Sequence, residues 1–88
     1  MKASNDVIYR NIAGEHVLIP VGSIAVEYNG MFVMTELGAQ IWNMIKNGME
    51  KEEIFASLFE QYEVEEKTLR TDINEFLEKL VEAKLIEI

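Results

Sequence analysis

Cysteine is missing from the 88 residues, and histidine, tryptophan and proline occur once each. The first absence excludes disulfides, thiolate ligation of zinc or iron-sulfur clusters, and a cysteine nucleophile. A single histidine, His16, excludes a two-histidine metal site and leaves a Ser-His-Asp arrangement without a spare base. Long apolar runs are also lacking: none approaches the roughly 20 residues that span a bilayer. The opening Met1-Lys2-Ala3-Ser4-Asn5-Asp6 has no apolar core of a secretory signal. Both absences point to a soluble, cytoplasmic protein with no membrane partner. The five glycines, Gly14, Gly22, Gly30, Gly38 and Gly48, stand singly and form no phosphate-binding loop. Basic residues are scarce, 8 against 16 acids, for a formal net charge of −8. Residues 1–49 hold 4 acids and 3 bases, whereas residues 50–88 hold 12 acids and 5 bases. Nucleic acid, which is bound mainly by cations that displace counterions, is repelled by such a second half.

What is present is enough apolar content, 49%, for one core, and room for one domain only. A chain this short buries few polar groups, so an enclosed active site is not expected and a binding module is the better starting point. Up to Met34 the apolar residues form short β-branched runs, and from Leu37 onward they recur at helical spacing, which predicts an α+β fold with strands first and helices afterwards. Val7 to Ile12 and His16 to Ile19 read as a hairpin around Ala13-Gly14-Glu15, ended by Pro20. A second hairpin is predicted from Ile24 to Tyr28, through Asn29-Gly30, to Met31-Phe32-Val33-Met34. Three helices follow. The first, capped by Thr35, carries Leu37, Ile41, Trp42 and Ile45 and stops at Asn47-Gly48. The second, from about Lys51 to Tyr62, presents Ile54, Phe55, Leu58, Phe59 and Tyr62. The third, from about Glu66 to Ala83, presents Leu69, Ile73, Phe76, Leu77, Leu80 and Val81, with Leu85-Ile86 closing the chain.

Candidate sites are few, and most have a structural reading. His16 fits a surface or edge position on a strand. Asp72 sits in mid-helix beside the apolar positions Leu69 and Ile73, where a structural hydrogen bond is favoured over a catalytic acid because no partner group accompanies it. Glu50, Glu52 and Glu53, and the pair Glu65 and Glu66, lack the alternating pattern of a calcium loop and suit the starts of helices. No cofactor, metal site or enzymatic activity is expected. Trp42, Phe55, Phe59 and Phe76 are expected in the core. The feature with most weight lies on the last strand, where alternation sends Phe32 and Met34 to one face and Met31 and Val33 to the other. Both pairs are apolar, so one of them faces something other than the core under the helices.

The ordered set Ile12-Ala13-Gly14-Glu15-His16-Val17-Leu18-Ile19-Pro20, Met34-Thr35-Glu36-Leu37-Gly38-Ala39-Gln40-Ile41-Trp42, Asn47-Gly48, Glu52-Glu53-Ile54, Tyr62-Glu63-Val64, Asp72-Ile73, Phe76-Leu77 and Leu85-Ile86 resembles the PqqD-like family, over about Val7 to Ile86. This family comprises the small proteins related to coenzyme PQQ synthesis protein D. The resemblance implies a winged helix-turn-helix-like fold: a small antiparallel sheet of three or four strands, then three helices. It also implies a non-catalytic peptide chaperone that binds the leader of a ribosomally synthesised precursor peptide and presents it to a modifying enzyme, often a radical SAM enzyme, in natural product biosynthesis. Two positions depart from the family pattern. Met34-Thr35 replaces the usual Leu-Asn, and Lys84 stands where the last helix is usually followed by Gly.

On this resemblance the leader adds as a strand to the edge formed by Met31, Phe32, Val33 and Met34, against the third helix. The helix residues beside its apolar stripe, Lys67, Arg70, Thr71, Asn74, Leu77 and Val81, are then the expected pocket and rim. Lys67 and Arg70 are placed to meet leader acids or, equally, to balance Glu63, Glu66 and Glu75. Two other readings stay open: a winged-helix DNA regulator, disfavoured by the acidic helices, and a structural subunit in which the same edge pairs two copies. Monomer and homodimer are both compatible with such an edge.

Overall fold

The computed structural model describes residues 1–27 and 30–87. Its elements in order are β1 (Lys2–Ala3), β2 (Val7–Ile12), β3 (Glu15–Pro20), α1 (Ser23–Glu27), β4 (Phe32–Met34), α2 (Glu36–Lys46), α3 (Lys51–Gln61), α4 (Glu66–Glu82) and β5 (Ile86–Glu87). The fold is α+β, as expected, with a three-stranded antiparallel sheet ordered β2-β3-β4 and a separate β1-β5 pair. The first hairpin turns tightly through Ala13 and Gly14, which have φ of 52° and 86°. Two successive left-handed residues give the twist that two antiparallel strands need at a short turn. Pro20 ends β3 opposite Val7.

The predicted strand from Ile24 onward is corrected by the structure, in which Ser23–Glu27 is helical. Gly22 turns the chain with φ of 62°, Ala25 N–H donates to Gly22 O, and Ser23 Oγ donates to Asp6. The buried side chain of Ile24 then anchors the turn in the core. Five residues carry too little periodicity to separate a strand from a helical turn, so tertiary packing decides. Tyr28 and Asn29, the centre of the second predicted hairpin, lie outside the described residues.

The helices begin and end where their signals stand. Thr35 Oγ1 accepts the Gly38 N–H at 3.1 Å and caps α2, while Glu53 accepts the Glu50 N–H at 3.0 Å at the start of α3. α2 closes with Gly48 N–H donating to Ile45 O and Met49 N–H to Met44 O, a Schellman motif around left-handed Gly48. α4 closes in the same way, Lys84 N–H to Val81 O and Leu85 N–H to Leu80 O, and it does so on a lysine with φ of 60°. The helix therefore stops where a glycine would stop it. Leu85 and Ile86 are delivered into the core, and Ile86 pairs with Ala3. This β1-β5 pairing carries no local signal in either two-residue strand.

Ile41, Trp42 and Ile45 of α2, Ile54, Phe55 and Leu58 of α3, and Leu69, Ile73, Leu77 and Leu80 of α4 close over Leu18 and Met34 from the sheet. Phe59 and Tyr62 depart from the predicted stripe. Both are exposed, and Phe59 stacks on Phe55 instead of entering the core. Among the described residues no helix is long and apolar enough to cross a membrane.

Candidate peptide-binding edge and groove

β4 lies at the edge of its sheet, paired on one side to β3 in the register His16↔Met34, Val17↔Val33 and Leu18↔Phe32. Its other side carries no strand among the described residues. Backbone amides and carbonyls on such an edge are a template for one more strand. Alternation places the side chains as expected. Met34 is buried and Phe32 half-buried, while Met31 and Val33 are 56% and 58% exposed. On that outer face Ile8 and Ile12 are exposed too, around Val17, which is buried by its cross-strand neighbours and lies outside the main core.

The helix beside this edge is α4, and its contact residue is Phe76. The Phe76 ring meets Phe32 edge-on with centroids 6.2 Å apart. A Cβ added at Gly38 would stand 3.1 Å from the Phe76 ring and 3.2 Å from Met34 Cβ, so β4, α2 and α4 converge there with no room to spare. Two cavities open along this seam. One of about 220 Å³ is lined by Thr35, Leu37, Gly38, Ile41, Asp72 and Phe76. The other, of about 110 Å³, is lined by Leu37, Tyr62, Val64, Thr68, Leu69 and Asp72. They share Leu37 and Asp72, and together extend from the end of β4 along the α2–α4 crevice.

The sequence-predicted helix residues lie on the other flank of α4. Arg70, Asn74, Leu77 and Val81 follow one another at spacings of four, three and four, which is one stripe of an α-helix. That stripe faces α3 and the amino terminus. Arg70 donates to Glu52 on α3 and to Glu66 one turn earlier, both at 3.0 Å, and its guanidinium lies 3.8 Å over the Phe55 ring. Hydrogen bonds to Glu52 first, then to Glu66, hold the Arg70 pKa above its ordinary value. Asn74, Leu77 and Val81 line a separate hollow with Met1, Glu50 and Lys51. Leu77 is buried, and Lys67 and Thr71 are exposed on the solvent side of the same flank.

Of the ten residues, then, the structure brings together Met31, Phe32, Val33 and Met34 and sets the six from α4 apart from them. The residues of α4 on the side of β4 are Asp72 and Phe76, both present in the sequence as features of the third helix but not assigned to the groove. Leu37, Tyr62 and Val64 join them. Asp72 differs from expectation: it is exposed and makes no hydrogen bond or ion pair among the described residues. His16 has the expected partly exposed strand position, stacked on Tyr9, whose hydroxyl bonds Nδ1. No group of three or more potential metal ligands is found among the described residues.

A three-stranded sheet whose edge strand carries no further strand among the described residues, leaning on the last helix across an apolar seam, defines a small α+β domain with an edge open to strand addition. The chain belongs to the family of coenzyme PQQ synthesis protein D (PqqD), which it matches over residues 15–86. Among solved structures it is similar to TbiB1 in complex with the TbiA(beta) leader peptide, with 29% sequence identity and a TM-score of 0.82. That likeness covers 99% of this chain and 95% of the other. No curated protein sequence matches the chain.

Proposed function

We propose that this protein is a non-catalytic recognition element that binds the leader segment of a ribosomally synthesised precursor peptide and presents it to a modifying enzyme. The observation that carries this reading is the free edge of β4 beside the Phe76 seam, in a chain of the PqqD family whose structural neighbour was solved with a leader peptide. Main-chain hydrogen bonds along β4 supply affinity for an extended segment of almost any sequence, and the cavities beside Leu37 select among side chains. Holding the leader raises the effective concentration of the attached substrate at the enzyme, so no catalytic group is required of this chain. The enzyme is of the radical SAM class that accompanies many members of the family, and the assembly is cytoplasmic.

A DNA-binding role is disfavoured by the face of α4 open to solvent, where Glu66, Glu75, Glu78 and Glu82 are exposed. The test is a titration of isotope-labelled protein with leader peptides encoded beside its gene. Saturable amide shifts are expected in Phe32 to Leu37 and around Asp72 and Phe76, with little change at Arg70, Asn74 and Val81. A folded protein whose amides shift with none of these peptides would overturn the reading.

A further inference from the structure

We propose that Asp72 is a specificity-determining residue of the groove, selecting peptides that place a Lys or Arg two positions from the apolar side chain that enters the cavity under Leu37. This inference rests on the peptide-binding reading and names the class of peptide. Asp72 lines both cavities of the α2–α4 crevice, and the other lining side chains carry no charge at neutral pH. The apolar lining is Leu37, Ile41, Val64, Leu69 and Phe76, joined by Thr35, Thr68 and Tyr62. Tyr62 is already engaged, since its hydroxyl accepts from Gln40 Nε2 at 3.1 Å. One carboxylate therefore stands in an apolar channel that an added strand would close from water.

Some carboxylates have intramolecular partners: Asp6 accepts from Ser23, Glu53 from the Glu50 amide, Glu52 and Glu66 from Arg70, whereas Glu78 and Glu82, which line the hollow on the other flank of α4, have none among the described residues. Asp72 has none among the described residues. Aspartate is also among the weaker residues in a helix interior, so its position in the middle of α4 is intrinsically unfavourable. A peptide cation brings the missing partner, and its pairing strengthens as the bound strand excludes water. The spacing follows from the strand: side chains facing one side recur every second residue, so an anchor in the 110 Å³ cavity puts its neighbour on that face two positions away. Leader acids at that position would meet Asp72 and a molecule of net charge −8.

Phage-displayed random dodecapeptides are selected on the full chain and on Asp72→Asn, a variant of nearly the same shape at an exposed position. The wild-type pool is expected to be enriched in Lys or Arg two positions from an aliphatic residue, and the Asp72→Asn pool to lose that enrichment. A synthetic peptide from the wild-type pool should bind Asp72→Asn about three- to tenfold more weakly. Its Lys→Ala version should bind both proteins alike. Enriched peptides without a basic preference, or a basic peptide that binds both proteins equally, would overturn the role of Asp72 and leave peptide binding standing. A library from which no peptide binds the wild-type chain would overturn the peptide-binding reading itself, and this inference with it.

Discussion

A methyl group at position 38 would press on the Phe76 ring at 3.1 Å and on Met34 Cβ at 3.2 Å. The ring edge can yield, whereas the Met34 Cβ belongs to the strand and cannot move without it. Gly38→Ala gains about 1 kcal/mol of helix propensity and incurs about 1 to 3 kcal/mol of overpacking. A net loss of about 1 kcal/mol is the expected result in urea unfolding. The sharper outcome is functional: because the displaced ring walls the groove, affinity for a bound peptide should fall while the fold remains. Lys84 presents the opposite case. Its left-handed φ of 60° is a conformation that glycine adopts without strain. Lys84→Gly should raise stability by about 0.5 to 1 kcal/mol, less than the full relief of strain because the lysine side chain has an interaction of its own. In the sequence Lys84 stood out as a departure from the family pattern, whereas Gly38 stood only as one of five single glycines. The crowding at Gly38 involves residues 4 and 38 places away along the chain, and no local pattern reports that.

At the scale of elements, α4 has two different flanks and two different jobs. The Arg70 flank binds α3 through Glu52 and the face of Phe55, with Glu66 of α4 itself holding the guanidinium from one turn earlier, and the Phe76 flank meets β4. Arg70→Glu replaces attraction by repulsion from two carboxylates and removes the guanidinium from the Phe55 ring, so the urea midpoint should drop. Peptide affinity at the β4 edge should stay near that of the wild type. A large affinity loss in a variant that remains folded would return Arg70 to the binding site. The three long helices were readable because each carries a repeated apolar stripe and a chemical start or stop, such as Thr35, Glu53 and Gly48. α1 was not, because its five residues are too few to show a period and Gly22 is the one backbone signal before it.

Across the whole molecule the acids of residues 50–88 repel one another, and added salt screens that repulsion. Raising sodium chloride from about 50 mM to about 500 mM should increase the midpoint of thermal unfolding by a few degrees. A falling midpoint would mean that the Arg70 ion pairs outweigh the net repulsion. Duplex DNA is expected to show no binding even at low salt, where electrostatic association is strongest. From the sequence by itself came the α+β order, the helix caps, the apolar stripes and the alternation of Phe32 and Met34 with Met31 and Val33. These rest on local chemistry and on periods of two and 3.6 residues, which a linear chain displays. The tertiary structure alone decided that Asp72 and Phe76, and not Arg70 and Asn74, stand beside β4. Periodicity marks which side of α4 is apolar, but both margins of that side are mixed in character. Which margin receives the strand and which receives α3 depends on contacts between residues far apart in sequence, Phe32 with Phe76 and Glu52 with Arg70.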